Sequence, residues 1–163
     1  MKKLNISSYG VTKKHVNKSN FDVSLEELEI QGFTIIDNII EQQELNFYRD
    51  KIIKTTRLQE DEFKKSNLLQ INELNVSRCL FFYDKYFLNL VTNKILEKYL
   101  IRILGENYIL LLQNSIIHDP HEKRIKENWH RDMPYQDYTT SKILAVNAYY
   151  NFDKSSETNG GLK

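Results

Sequence analysis

Helical periodicity runs through this chain as far as Leu104 and strand-type alternation follows it, so the order of elements limits the fold more than composition does. Ser24-Leu25-Glu26-Glu27 reads as a capping box with Ser24 as N-cap, and Gly32 stands where a C-terminal cap belongs. Phe33-Thr34-Ile35-Ile36 is β-branched and aromatic, which predicts a short strand broken by Asp37-Asn38. Leu45, Tyr48, Ile52 and Ile53 follow helical spacing across Glu41 to Arg57. A second helical pattern, with Phe87, Leu90, Val91 and Leu104 apolar, runs from Asp84 to a stop at Gly105. Tyr108 to Ile117 and Lys142 to Phe152 then read as strands. In the first, Leu110, Leu112, Asn114, Ile116 and His118 share one face if the pleat is regular. In the second, Ala145, Asn147, Tyr149 and Asn151 oppose Val146, Ala148, Tyr150 and Phe152. Helices ahead of a late β region suit an α+β domain in which the helices buttress one face of an antiparallel sandwich. No Gly-rich loop follows any strand, which argues against a doubly wound nucleotide fold.

The chain's 163 residues are one domain's length, enough for a sizeable core and expected as a single domain or part of one, with 1–22 a poorly ordered polar segment and 23–163 the domain or the N-terminal part of it. A formal charge of +1 provides no field that would recruit nucleic acid or an anionic membrane, which leaves a small molecule as the expected partner. Cys79 is the only cysteine, so neither an intrachain disulfide nor a cysteine-built zinc cluster can form. The N-terminus carries no apolar signal region and no apolar run reaches membrane-spanning length. The expectation is a cytoplasmic protein.

The segment richest in chemistry is Trp129-His130-Arg131-Asp132-Met133-Pro134-Tyr135-Gln136. In an extended backbone His130 and Asp132 project to the same side while Arg131 points away. An imidazole and a carboxylate so placed make two-thirds of the 2-His-1-carboxylate triad that leaves positions open for oxygen chemistry on Fe(II). Spacing alone also allows an ordinary surface pair, because a His beside an acid usually does no more than pair weakly. Trp129 adds an apolar wall and Pro134 ends the strand just past Asp132, the way a ligand pair is presented at a strand end.

Together with Ile143-Leu144-Ala145-Val146-Asn147-Ala148-Tyr149-Tyr150, Phe152-Asp153 and the Asn159-Gly160-Gly161 turn, this segment resembles the front half of the phytanoyl-CoA dioxygenase family. Gly32 to Ile40, followed by a helix, is similar to the family's opening segment, and the resemblance covers about residues 24–161. It implies a double-stranded β-helix (jelly roll) with N-terminal buttressing helices. It also implies Fe(II) and 2-oxoglutarate used to hydroxylate an unactivated carbon of a small molecule. Carried over by position, His130 and Asp132 match the first two iron ligands. Relatives that halogenate carry a small residue in place of the carboxylate, so Asp132 favours hydroxylation. Asn114 and His118 resemble positions that contact substrate or 2-oxoglutarate in some relatives, against the plainer readings of a backbone-satisfied Asn and a strand-edge His. Tyr135 and Gln136 could line the cavity mouth or be ordinary strand-end residues.

The family's third ligand, a distal His, and its 2-oxoglutarate-binding Arg match no residue here. His15, His118 and His121 all precede the H-x-D pair, the wrong order for the family. The resemblance therefore implies a jelly roll ending before its last strands, with unpaired backbone and an apolar face near Tyr149. Such a chain is expected to self-associate or to need a partner chain, and to hold Fe(II) weakly. The alternative is an inactive fragment or binding module that keeps the front of the scaffold. A cupin-type metal protein fits poorly, since it needs several His in close array.

Overall fold

A computed structural model describes residues 19–118, 140–154 and 156. The chain divides into two units, Met1–Asp37 and Asn38–Lys163. In the first, helix α1 (Asn20–Gln31) starts at Ser19 rather than at Ser24. Ser19 and Asp22 cap each other reciprocally: Ser19 Oγ accepts from the Asp22 N–H at 3.2 Å, and the Ser19 N–H donates to Asp22 Oδ2 at 3.1 Å. The signal is the same as that read at Ser24, but it closes five residues earlier. Gly32 ends the helix at φ 81°, left-handed as expected, with its N–H on Leu28 O at 3.0 Å. Phe33–Ile36 enters no ladder, so the expected strand is absent among the described residues.

The second unit is built on α2 (Gln42–Phe63), a longer helix than Glu41–Arg57. It runs until Lys64, whose φ of 66° breaks it, and α3 (Lys65–Gln70) follows. Tyr48 and Ile52 are buried as their spacing implies, whereas Ile53 is exposed. Beyond them the inward face of α2 turns polar, with Thr55, Thr56, Gln59 and Glu60 all buried.

Strand β1 (Val76–Arg78) was not legible in the sequence pattern. It pairs antiparallel with β2 (Asn114–Ile116), Val76 opposite Ile116, Ser77 opposite Ser115 and Arg78 opposite Asn114. The expected strand Tyr108–Ile117 thus contributes three ladder residues. Its partner is limited by left-handed residues at both ends, Asn75 at φ 59° and Cys79 at φ 52°. Residues 142–152 form no ladder among the described residues, although much of one predicted face points inward: Val146, Tyr150 and Phe152 are half-buried, while Ala148 on that face and Tyr149 on the other are exposed.

The single helix expected from Asp84 to Leu104 is divided. Following α4 (Leu80–Tyr83), Asp84 is extended and caps a 3₁₀ turn at Lys85–Phe87, its Oδ1 accepting from the Tyr86 N–H at 2.9 Å. Helix α5 (Leu88–Val91) follows. Asn93 then restarts the chain as α6 (Lys94–Leu104), accepting from the Ile95 and Leu96 N–H groups at 2.9 and 3.2 Å. Its Nδ2 also donates to Ile39 O at 3.1 Å. Asn93→Ala is therefore expected to cost about 1–2 kcal/mol, read as a lower urea midpoint at unchanged slope.

Tyr48, Ile52, Leu80, Phe87 and Leu90 form the core, with Tyr86, Ile117, Tyr150 and Phe152 packed on it. The Tyr150 hydroxyl donates to Leu90 O at 2.7 Å and burial pushes its pKa up to about 12. Burial, then the neighbouring Tyr86 and Glu44, pushes Tyr48 up to about 12 as well. An unfolded tyrosine ionises near 10, so both phenols favour the fold fully below about pH 10 and lose that contribution as pH rises towards 12. The melting temperature should fall across that window, and less steeply in Tyr150→Phe.

The described part of the molecule is therefore mixed helix with one small two-stranded sheet, consistent with the α+β expectation. No helix among the described residues is long and apolar enough to cross a membrane.

Candidate functional site

Strand β2 carries Asn114 and precedes the H-x-D segment in sequence. Gln113, just before Asn114, ties it to the core three times. Its carbonyl accepts from the Leu80 N–H at 3.3 Å, its Oε1 accepts from the Phe81 N–H at 3.1 Å, and its Nε2 donates to Phe87 O at 2.9 Å. One buried glutamine on α2 does the same for β1. Gln59 donates to Arg78 O at 2.7 Å and accepts from the Arg78 N–H at 3.0 Å, standing in for a neighbouring strand. Thr56 Oγ1 and Ser77 Oγ add a buried contact between α2 and β1. Polar side chains thus replace ladder partners on a sheet too short to hold itself.

Asn114 lies opposite Arg78 and is exposed. In the amide orientation that satisfies both its atoms, Oδ1 accepts from Arg78 Nη1 at 2.8 Å and Nδ2 donates to Gln113 O at 3.2 Å. Arg78 also donates through Nε to Glu73 Oε2 at 2.8 Å and through Nη2 to Glu73 Oε1. The Glu73 hydrogen bonds raise the Arg78 pKa further. This guanidinium is committed to Glu73 and Asn114 and does not present an open fork to a ligand carboxylate.

His118 lies two residues beyond β2 and is exposed like Asn114 and Ile116, while Ser115 and Ile117 between them are half-buried, so the alternation expected of a shared face runs on to His118 although the ladder ends at Ile116. His130, Asp132, Tyr135 and Gln136 lie outside the described residues. Among the described residues no three His, Cys, Asp or Glu side chains gather as a metal-ligating group. Sequence reading missed Gln59, Gln113 and Arg78. A glutamine directly after the apolar run Leu110-Leu111-Leu112 was the one available hint, since a polar side chain there must find partners.

Beside Arg78, between α2 and α4, a cavity of about 350 Å³ is lined chiefly by Phe63, Phe81, Phe82 and Tyr83 over Cys79. Its polar groups are already used, Gln59 by the Arg78 backbone and the Tyr83 hydroxyl by Glu62 at 2.7 Å. It offers apolar contact and no placed acid or base.

A family model described as phytanoyl-CoA dioxygenase (PhyH) matches residues 28–163. Two uncharacterized proteins, from Mycobacterium bovis and Mycobacterium tuberculosis, are each 26% identical over 101 residues, 62% of this chain. The matched stretch spans only 37% of each relative's length. No solved structure matches the chain.

Proposed function

This chain belongs to the phytanoyl-CoA dioxygenase family, and from that premise we propose that it carries the iron-binding front of an Fe(II)/2-oxoglutarate-dependent hydroxylase acting on a small molecule. The fold under this reading is a double-stranded β-helix of which the β1–β2 ladder is one part. The observation that carries the reading is the His130-x-Asp132 pair inside the matched span.

The donor set fits the metal: one imidazole nitrogen and one carboxylate oxygen are ligands that ferrous iron takes, and neither is a soft thiolate. When bound together, Fe(II) and 2-oxoglutarate supply an O₂-derived oxidant strong enough for an unactivated C–H bond. The chain's own residues bind and orient. His130 offers a lone pair and must be neutral; Asp132 offers an ionised oxygen and offsets the metal's charge. Asn114, held by Arg78 and Gln113, keeps a second N–H to offer a cosubstrate carboxylate, and exposed His118, four residues on, is the second proposed contact. Tyr135 and Gln136, next in sequence after the ligand pair, are the proposed substrate contacts. Because Arg78 is taken up by Glu73, it is not free to clamp the 2-oxoglutarate carboxylate, and under this reading that clamp and the third iron ligand are supplied elsewhere. A second copy or a partner chain that completes the fold is one source. The setting under this reading is the cytoplasm.

The test is succinate release from 2-oxoglutarate by the protein supplied with Fe(II) and O₂, against an iron-free control. Succinate above the control supports the assignment. None, in a protein that also fails to bind Fe(II), favours the competing reading of an inactive binding module.

A further inference from the structure

We infer that the seam between α2 and the β1–β2 ladder is an internal water site, in which bound water donates to Glu60 Oε1 and hydrogen-bonds to Ser115 Oγ. These are the two buried side-chain atoms without a partner among the described residues. Glu60 is 1% exposed, and everything that reaches it lies on its other oxygen: Arg57 Nη1 at 2.6 Å and Lys65 Nζ at 3.5 Å from Oε2. An ionised carboxylate oxygen out of water needs a donor, and nearly all such buried groups have one.

The two atoms belong to one seam. Ser115 lies opposite Ser77 in the ladder, so both side chains stand on the same face, and Ser77 Oγ meets Thr56 Oγ1. Thr56 and Glu60 are one turn apart on α2, hence on one face of the helix. Asn75 closes the end of this row, its Oδ1 accepting from Arg57 Nη1 at 3.4 Å. The wall is polar from Thr56 to Asn75, and water settles where several polar groups converge.

Charge decides between water and a metal cation. Two cations already flank the single carboxylate, so a further positive ion would be repelled while a neutral donor is accepted. Water here would join Ser115 on β2 to Glu60 on α2, bracing the strand that carries Asn114.

The test needs neither iron nor turnover, so it stands apart from the proposed activity. A crystal structure of the chain should show a density peak at hydrogen-bond distance from Glu60 Oε1; a well-ordered Glu60 with no peak overturns the inference. In solution, Ser115→Ala should lower the melting temperature by about 2–4 °C, because a bridging hydroxyl is lost. A dry, unpartnered hydroxyl would give an unchanged or higher melting temperature on removal, which also overturns it. A melting temperature higher in KCl than in choline chloride at equal ionic strength would identify a cation instead, and would overturn the assignment to water.

Discussion

His130→Ala abolishes Fe(II)-dependent succinate formation and weakens metal binding by more than about 100-fold, if the H-x-D pair holds iron. The threshold follows from comparison: losing a side chain that only orients a ligand typically costs 10–100-fold in affinity or activity, so removing a ligand must exceed it. Anaerobic titration with Fe(II), or with Co(II) followed by its visible absorption, reads binding directly and separates it from turnover. Asn114→Ala supplies the contrast. It leaves metal binding intact and raises the 2-oxoglutarate KM by about 10-fold, the worth of one charge-assisted hydrogen bond near 1.4 kcal/mol. Equal metal affinity in wild type and His130→Ala would remove His130 from the site, whatever the family.

Local chemistry made much of this chain readable, and the failures have a common cause. Gly32, Gly105 and the inward facing of Tyr48, Ile52, Phe87 and Leu90 follow from rules that act within a few residues: a cap, a stop, a 3.6-residue period. The strands were misread because a strand is defined by its partner. Tyr108–Ile117 has the composition of a ten-residue strand, yet its partner is stopped by Asn75 and Cys79, both in left-handed conformation. Arg78 and Gln59 escaped notice for the same reason: each matters through a residue about twenty or more positions away. The candidate site divides likewise. His130 and Asp132 become candidates through their spacing together with Trp129, Pro134 and the family resemblance, whereas the support of Asn114 by Gln113 and Arg78 exists only in three dimensions.

Phe87→Ala should be the most destabilising single substitution among the described residues, by about 3–5 kcal/mol. Phe87 is 0% exposed and its ring centroid lies 6.5 Å from that of Tyr48, in the cluster that also holds Ile52, Leu80 and Leu90. Truncation removes buried apolar area and leaves a cavity that a 3₁₀ turn cannot close, because the Phe87 carbonyl is held by Gln113 Nε2 at 2.9 Å and the turn is pinned by Asp84. Asp84 is itself anchored: Lys51, then the Tyr86 N–H, keeps its carboxyl below the usual carboxylate range. A domain with a total stability of about 5–15 kcal/mol would keep little of it after such a loss. Phe82, five residues earlier and 80% exposed, is the control: Phe82→Ala should shift stability by no more than about 0.5 kcal/mol. Urea unfolding separates the two, with a large drop in midpoint at similar slope for Phe87→Ala and none for Phe82→Ala. Similar losses in both variants would mean that the exposed face of α4 is covered in solution, and the core described here would no longer account for the stability of the chain.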